Sequence, residues 1–229
     1  FDALDPELRA SLEAQLALHP TPRRQAEILI DRGWILADEL GQLDAAREAL
    51  WAAHEADPAW LQPLLSLEKV AIGSGDVAME ARALAAIAER STDPERQAAA
   101  LREQARLQTQ ISDGSPEKAL ELLRRAGELA GNPLPILQQM HRVTVDAGLD
   151  AARVEALEAL GEAFAEIDAL TAFAYLRQAA QVARFTLGDG DKASALLARA
   201  TELCPEEGLT LLDRLDLAES DQAWPTLAG

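Results

Sequence analysis

Residues 41–58, GQLDAAREALWAAHEADP, decide how this chain is read, because their pattern returns twice. From the turn glycine Gly41 they place Ala46, Leu50 and Ala53 at helical spacing and close on Asp57-Pro58. Residues 114–129, GSPEKALELLRRAGEL, begin at Gly114 and carry Ala119, Leu123 and Ala126 at the same offsets, 73 residues on. Residues 188–205, GDGDKASALLARATELCP, carry Ala193, Leu197, Ala200 and Pro205, 147 residues on from the first copy. A weaker unit lies between the copies, starting near Trp60 and near Pro133. Its Leu64 and Leu137, Val70 and Val143, and Gly75 and Gly148 are each 73 apart. Each 73-residue block is thus two helical pairs of about 36 residues. Self-similarity on that scale signals a solenoid, in which neighbouring units bury what one unit cannot.

Composition agrees with helix. Aromatic residues make up 4% of the chain and charged residues 26%, and Ala, Leu, Glu and Arg dominate, the usage of a GC-rich, bacterial-like coding sequence. A net charge of -18 opposes binding to nucleic-acid phosphates or anionic lipid. Cys204 is the one cysteine, so no disulfide framework forms within the chain. No apolar run approaches the ~18 residues that would cross a bilayer, and no signal-like segment stands out. The expected location is the cytoplasm. Because the first residue is Phe1, a periplasmic location or membership of a larger exported protein stays as the alternative.

Helix starts are written as a capping residue followed by proline: Asp5-Pro6, Thr21-Pro22, Asp93-Pro94, Ser115-Pro116 and Asn132-Pro133. A short helix after Pro6 carries Leu8, Leu12 and Leu16 and ends before His19-Pro20. Further helices are expected near 22–40, 43–56, 59–73, 76–91, 94–112, 116–130, 134–147, 150–165, 168–187, 190–203 and 206–219. The turns are short enough to make neighbouring helices antiparallel. No linker or low-complexity tract interrupts them, so residues 1–229 are expected to form one array.

This pattern resembles the tetratricopeptide repeat family, whose unit is two antiparallel helices with a small residue late in the first, a turn glycine, two alanines on the second and a closing proline. The small residues would be Gly33, Ala105 and Ala180. The turn glycines would be Gly41, Gly75, Gly114 and Gly148, and the closing prolines Pro58 and Pro205. The paired alanines would be Ala46 with Ala53, Ala119 with Ala126, and Ala193 with Ala200. The units run slightly long and the usual aromatic positions are mostly aliphatic. The resemblance implies an all-α, right-handed superhelical solenoid. Its pairs would be 22–57, 58–91, 94–131, 133–166 and 168–204, with an extra N-terminal helix and a partial unit at 205–229.

Chemistry is sparse. His19, His54 and His141 lie at no metal-ligand spacing, and Cys204 has no histidine partner in view. The GDGDK segment at 188–192 lacks the closing glutamate of a calcium loop and reads as a turn with Asp191 near the next helix start. No phosphate-binding, esterase or zinc-peptidase motif occurs. No enzyme, cofactor, metal or small-molecule substrate is expected.

Charge divides unevenly between the helix types, with acids in excess on the second helices. In the resembled family the first helices line a concave groove. Its inward positions would fall on Trp34, Lys69, Arg102, Arg106, Arg142, Arg177 and Arg184, with Phe185 as a further flat surface. Two readings stay open: a groove that takes an acidic or carboxylate-bearing peptide through forked arginine contacts, or arginines on a solvated face whose stems cover apolar edges. The expected function is a non-enzymatic scaffold for a protein or peptide partner. A docking or regulatory segment of a longer protein, an enzyme among the possibilities, and a self-associating structural module are the alternatives, and the oligomeric state stays open.

Overall fold

The computed structural model describes residues 6–18, 21–111 and 114–206. They form helices α1 (Pro6–Ala17), α2 (Pro22–Trp34, extended by a π-helical turn over Ile35–Glu39), α3 (Leu43–Ala56), α4 (Gln62–Ser74), α5 (Val77–Arg90) and α6 (Pro94–Gln108). These are followed by α7 (Pro116–Leu129), α8 (Leu134–Ala147), α9 (Asp150–Phe164), α10 (Ala169–Phe185) and α11 (Gly190–Leu203), with no strand among the described residues. Contacts divide the chain into two compact units, Phe1–Ser115 and Pro116–Gly229. The expected pair 94–131 therefore has one helix in each unit, and the helix expected at 206–219 lies outside the described residues apart from its first position.

Local chemistry starts and stops these helices where the punctuation says. Thr21 accepts a hydrogen bond from the Arg24 N–H at 3.3 Å, ahead of Pro22, and Asp93 Oδ1 accepts from Glu95 at 3.1 Å, ahead of Pro94. Asp76 and Asp168 cap α5 and α10 in the same way. At the start of α11 the capping residue is Asp189, whose Oδ1 accepts from the Lys192 N–H at 2.9 Å, and not the expected Asp191. An Asp two places earlier is the one whose side chain reaches the third helical N–H beyond the cap.

The helix ends repeat with the sequence. Gly75 and Gly148, 73 apart, both adopt left-handed backbone with φ of 70° and 66°. Each ends its helix with the same pair of bonds: Asp76 N–H to Ala71 O with Gly75 N–H to Ile72 O, and Leu149 N–H to Thr144 O with Gly148 N–H to Val145 O. Gly41 and Gly188, 147 apart, share a wider closure. Leu40 and Leu187 donate five residues back, to Ile35 and Val182, while Gln42 and Asp189 donate six back, to Leu36 and Ala183. Gly114 closes its turn by donating its N–H to Ile111 O at 2.9 Å. Asp57 and Cys204, each before a proline, leave the helix at φ/ψ of -138°/82° and -136°/76°, as the clash with the proline ring requires.

Three boundaries differ from expectation. Residues 58–60 form a turn closed by Trp60 N–H to Asp57 O, so α4 begins at Gln62 rather than near 59. The expected helix 22–40 changes to a π turn after Trp34. The expected helix 94–112 ends at Gln108, where the Thr109 hydroxyl bonds back to Arg106 O at 2.7 Å.

Within each unit the helices form helical hairpins, each helix packed on the next. The runs are α1 through α6 in the first unit, where α2 also meets α4, and α7 through α11 in the second. Ala46, Ala53, Ala119, Ala126, Ala193 and Ala200 are all at 0% exposure. Their small side chains let the helix backbones approach, and a longer side chain would wedge them apart. In the first unit Leu50 and Leu67 join them in one core, with Leu64, Leu84 and Leu107 in a second. The second unit gathers Leu157, Phe173, Leu176 and Leu197.

Candidate functional site

In the first unit the structure brings two expected contact residues together. Trp34 closes α2, Lys69 lies in α4, and Lys69 Nζ stands 4.6 Å from the Trp34 ring centroid, so one cation–π pair replaces two separate contacts. Arg102 and Arg106 follow one turn apart on α6. Arg106 is engaged within the protein: Nε donates to Glu103 Oε2 at 2.6 Å, Nη2 to Glu80 Oε1 at 3.0 Å, and Nη1 to Gln110 Oε1 at 2.9 Å. Glu80 is only 8% exposed, so this guanidinium compensates a buried carboxylate that would otherwise stand unpaired. Arg102 Nη2 lies 3.7 Å from Glu103 Oε1.

Glu68 of α4 completes the cluster. Burial pushes its carboxyl above the usual range, and the charges of Glu80 and Glu103 push it further the same way. The first-helix side of this unit is thus of mixed charge.

The second unit is different. Arg142 is exposed on α8, and Arg177 and Arg184 lie on α10, seven residues and so about two turns apart on one face. No acidic residue occurs anywhere in α10, and α8 contributes only Asp146. Arg184 Cζ sits 4.8 Å from the Phe185 ring centroid, and Phe185 is 71% exposed. Helices α8 and α10 both pack on α9.

The second helices are knitted by ion pairs. In the first unit Arg47 of α3 bonds Asp44 and reaches across to Asp76 at the start of α5. In the second, Arg124 of α7 meets Glu155 of α9 at 3.0 Å. Glu158 accepts from Lys192 Nζ at 2.6 Å and from Arg199, which also bonds Glu162 at 2.8 Å. Burial alone would raise the Glu158 carboxyl, but these two cations hold it below the ordinary carboxylate range.

The remaining chemically interesting residues serve packing. His54 is buried at the end of α3, edge-on to Trp51 at 5.6 Å, and burial and Arg90 both lower its basicity. His141 is lowered by burial and by Arg153. His19 lies outside the described residues. Cys204 packs against the core of the second unit, and its thiol meets Ala169 O at 3.5 Å. Among the described residues no group of three or more His, Cys, Asp or Glu is placed to hold a metal ion, and no helix is long and apolar enough to cross a membrane.

The sequence reading missed Glu68, Glu80 and Glu103. The signal was present, since Glu68 and Glu103 directly adjoin Lys69 and Arg102, but residues one apart on a helix differ by about 100° and only packing brings them to one cluster.

No protein-family model matches the chain, and none of the curated proteins matches it. Solved structures are similar in architecture. YrrB, described as a TPR protein with an unusual peptide-binding site, is 16% identical over 82% of this chain and 91% of its own, with a TM-score of 0.44. MamA is 19% identical over 80% of this chain and 94% of its own, at 0.46. A thermophilic TPR protein of Thermus thermophilus is 21% identical over 84% of this chain and 98% of its own, at 0.37. Likeness at this level transfers no residue, ligand or partner to this chain.

Proposed function

We propose that this chain is a non-enzymatic scaffold that binds a protein partner, and that the α8–α10 side of its second unit takes an acidic or carboxylate-bearing segment. The observation that carries this reading is α10 itself: Arg177 and Arg184 stand two turns apart on a helix of 17 residues that holds no acid, beside the exposed Phe185 ring. Two turns span about 10 Å, which matches carboxylates three residues apart on a polyproline-II segment, whose three-residue turn puts them on one face. Guanidinium forks meet carboxylates in pairs of parallel hydrogen bonds, a geometry lysine does not offer.

The test is fluorescence anisotropy with a labelled peptide carrying two glutamates three residues apart. The parent should bind more weakly as salt rises, and Arg177→Gln with Arg184→Gln should weaken it about tenfold. Lys118→Gln with Arg125→Gln on α7 removes the same charge and should leave binding unchanged. Equal weakening by both pairs would reduce the reading to general attraction.

A further inference from the structure

The second helices of the first unit enclose a groove that the reading above does not use. It runs between α3 and α5, holds about 520 Å³, and has Ala52, Met79 and the half-buried Trp51 as its apolar lining. Arg82 Cζ lies 3.6 Å from the Trp51 ring centroid and holds the indole in place. Glu48 and Glu55 stand exposed at positions i and i+7 of α3, with Trp51 and Ala52 at i+3 and i+4, so an acid flanks the apolar lining on either side along one helix face. Arg47, the nearest base on α3, is occupied by Asp44 and Asp76.

We infer that this α3–α5 groove is a second docking surface, and that its occupant is a basic, apolar segment of a partner protein. Its apolar side chains would cover Trp51, Ala52 and Met79 while cations about two turns apart meet Glu48 and Glu55. Charge decides the occupant. Asp44 is paired with Arg47, and Arg82 is the one cation stacked on Trp51, so the exposed Glu48 and Glu55 carboxylates set the balance: an acidic segment would face them, whereas a cationic one is drawn to them.

The repeat supplies an internal control. Positions 44, 48 and 55 recur 73 residues on as Glu117, Glu121 and Glu128 of α7, where Glu117 alone of the three lines a smaller groove of about 410 Å³. There Arg124 stands where α3 has Trp51, and Ala152 where α5 has Met79. The α7 groove is lined by Leu120, Leu149 and the small Gly148, Ala151 and Ala152 with no aromatic ring among them, and Glu121 and Glu128 do not line it, so it is not expected to hold the same segment.

The experiment uses the full chain and a labelled, amidated peptide of lysine, leucine and alanine, with two lysines two helical turns apart flanking the leucines. Binding is followed by anisotropy at about 0.15 M salt. The parent should bind, Glu48→Lys with Glu55→Lys should weaken binding about tenfold, and Glu121→Lys with Glu128→Lys, which changes net charge equally, should leave it within about twofold. A peptide that keeps the lysines but has serine for leucine should not bind. The inference is overturned by a parent that does not bind the peptide, by equal weakening in both charge-reversed pairs, or by a serine peptide that binds as well. None of the four substitutions touches a core position, and circular dichroism of each variant beside the parent confirms that the helices are kept. The acidic probe for α10 should be held undiminished by the Glu48 and Glu55 variant, which separates this surface from the other.

Discussion

At Gly33 an added Cβ would fall 2.6 Å from Leu50 Cγ, and at Gly161 another would fall 2.8 Å from Leu176 Cγ. Both glycines also face a backbone carbonyl at 3.4 Å, that of Ala46 and of Ala172. At each, the glycine faces backbone and one leucine of the next helix. Gly33→Ala and Gly161→Ala are each expected to cost about 1–3 kcal/mol through overpacking. Urea denaturation should show a lower midpoint at unchanged slope. Combining Gly33→Ala with Leu50→Ala should cost less than the sum of the two, since the second removes the obstacle to the first. Gly33 was recognisable in the sequence from its place late in a first helix. Gly161 lies on a second helix but off the two positions where the repeat pattern asks for alanine, and only the α9–α10 packing shows its role. Glu68 carries a different cost. Its carboxyl is raised in the folded state, so the fold binds that proton more tightly than the unfolded chain does, and stability falls as pH rises from the unfolded value through the folded one. Glu68→Gln should therefore raise Tm at about pH 7, and the gain should vanish near about pH 4, below the unfolded carboxyl value. A gain that persists undiminished in acid would show that the charge is not its source.

Among the elements, turns and caps were the most legible part. Proline after a capping side chain, and glycine after the last helical turn, act through backbone sterics that need no tertiary partner. That is why α3, α8 and α11 occupy the expected residues while α4 and α6 do not. The start of α4 is delayed by a turn at 58–60, and the end of α6 is drawn back by the Thr109 hydroxyl. Glycines at different places in these elements should respond oppositely to alanine. Gly148→Ala puts a side chain on left-handed backbone at φ 66° and is expected to cost about 1–2 kcal/mol. Gly127, inside α7, has nothing nearer to its added Cβ than Ile136 Cγ2 at 4.0 Å. Gly127→Ala should stabilise by about 0.5–1 kcal/mol, because the unfolded chain loses freedom and the folded one meets no clash. Thermal melts of the two variants beside the parent check both signs.

For the whole molecule, the two units each hold their own core: Leu50, Leu67, Leu84 and Leu107 in the first, Leu157, Leu176 and Leu197 in the second. A repeat array loses structure first around the injured unit. Ala126 is fully buried in α7, so Ala126→Arg buries a charge and overfills the site at once, at a cost of a few kcal/mol. Hydrogen exchange should show protection lost first across α7, α8 and α9 and kept longest in α2 to α5. Simultaneous loss throughout would mean that the chain unfolds as a single cooperative body.

What the sequence determined by itself was the helical class, the 73-residue period, the alanines that let helices approach, and most helix ends. Each of these follows from side-chain size, proline geometry or helical periodicity, which act over a few residues. The tertiary structure decided which charges meet. It pairs Lys69 with Trp34, commits Arg106 to Glu80 and Glu103, and sets Met79 and Arg82 of α5 beside Trp51 of α3. Those partners lie on different helices or one residue off the expected face. Only the angle at which one helix packs on the next determines whether such side chains touch, and that angle is set by the buried faces of both.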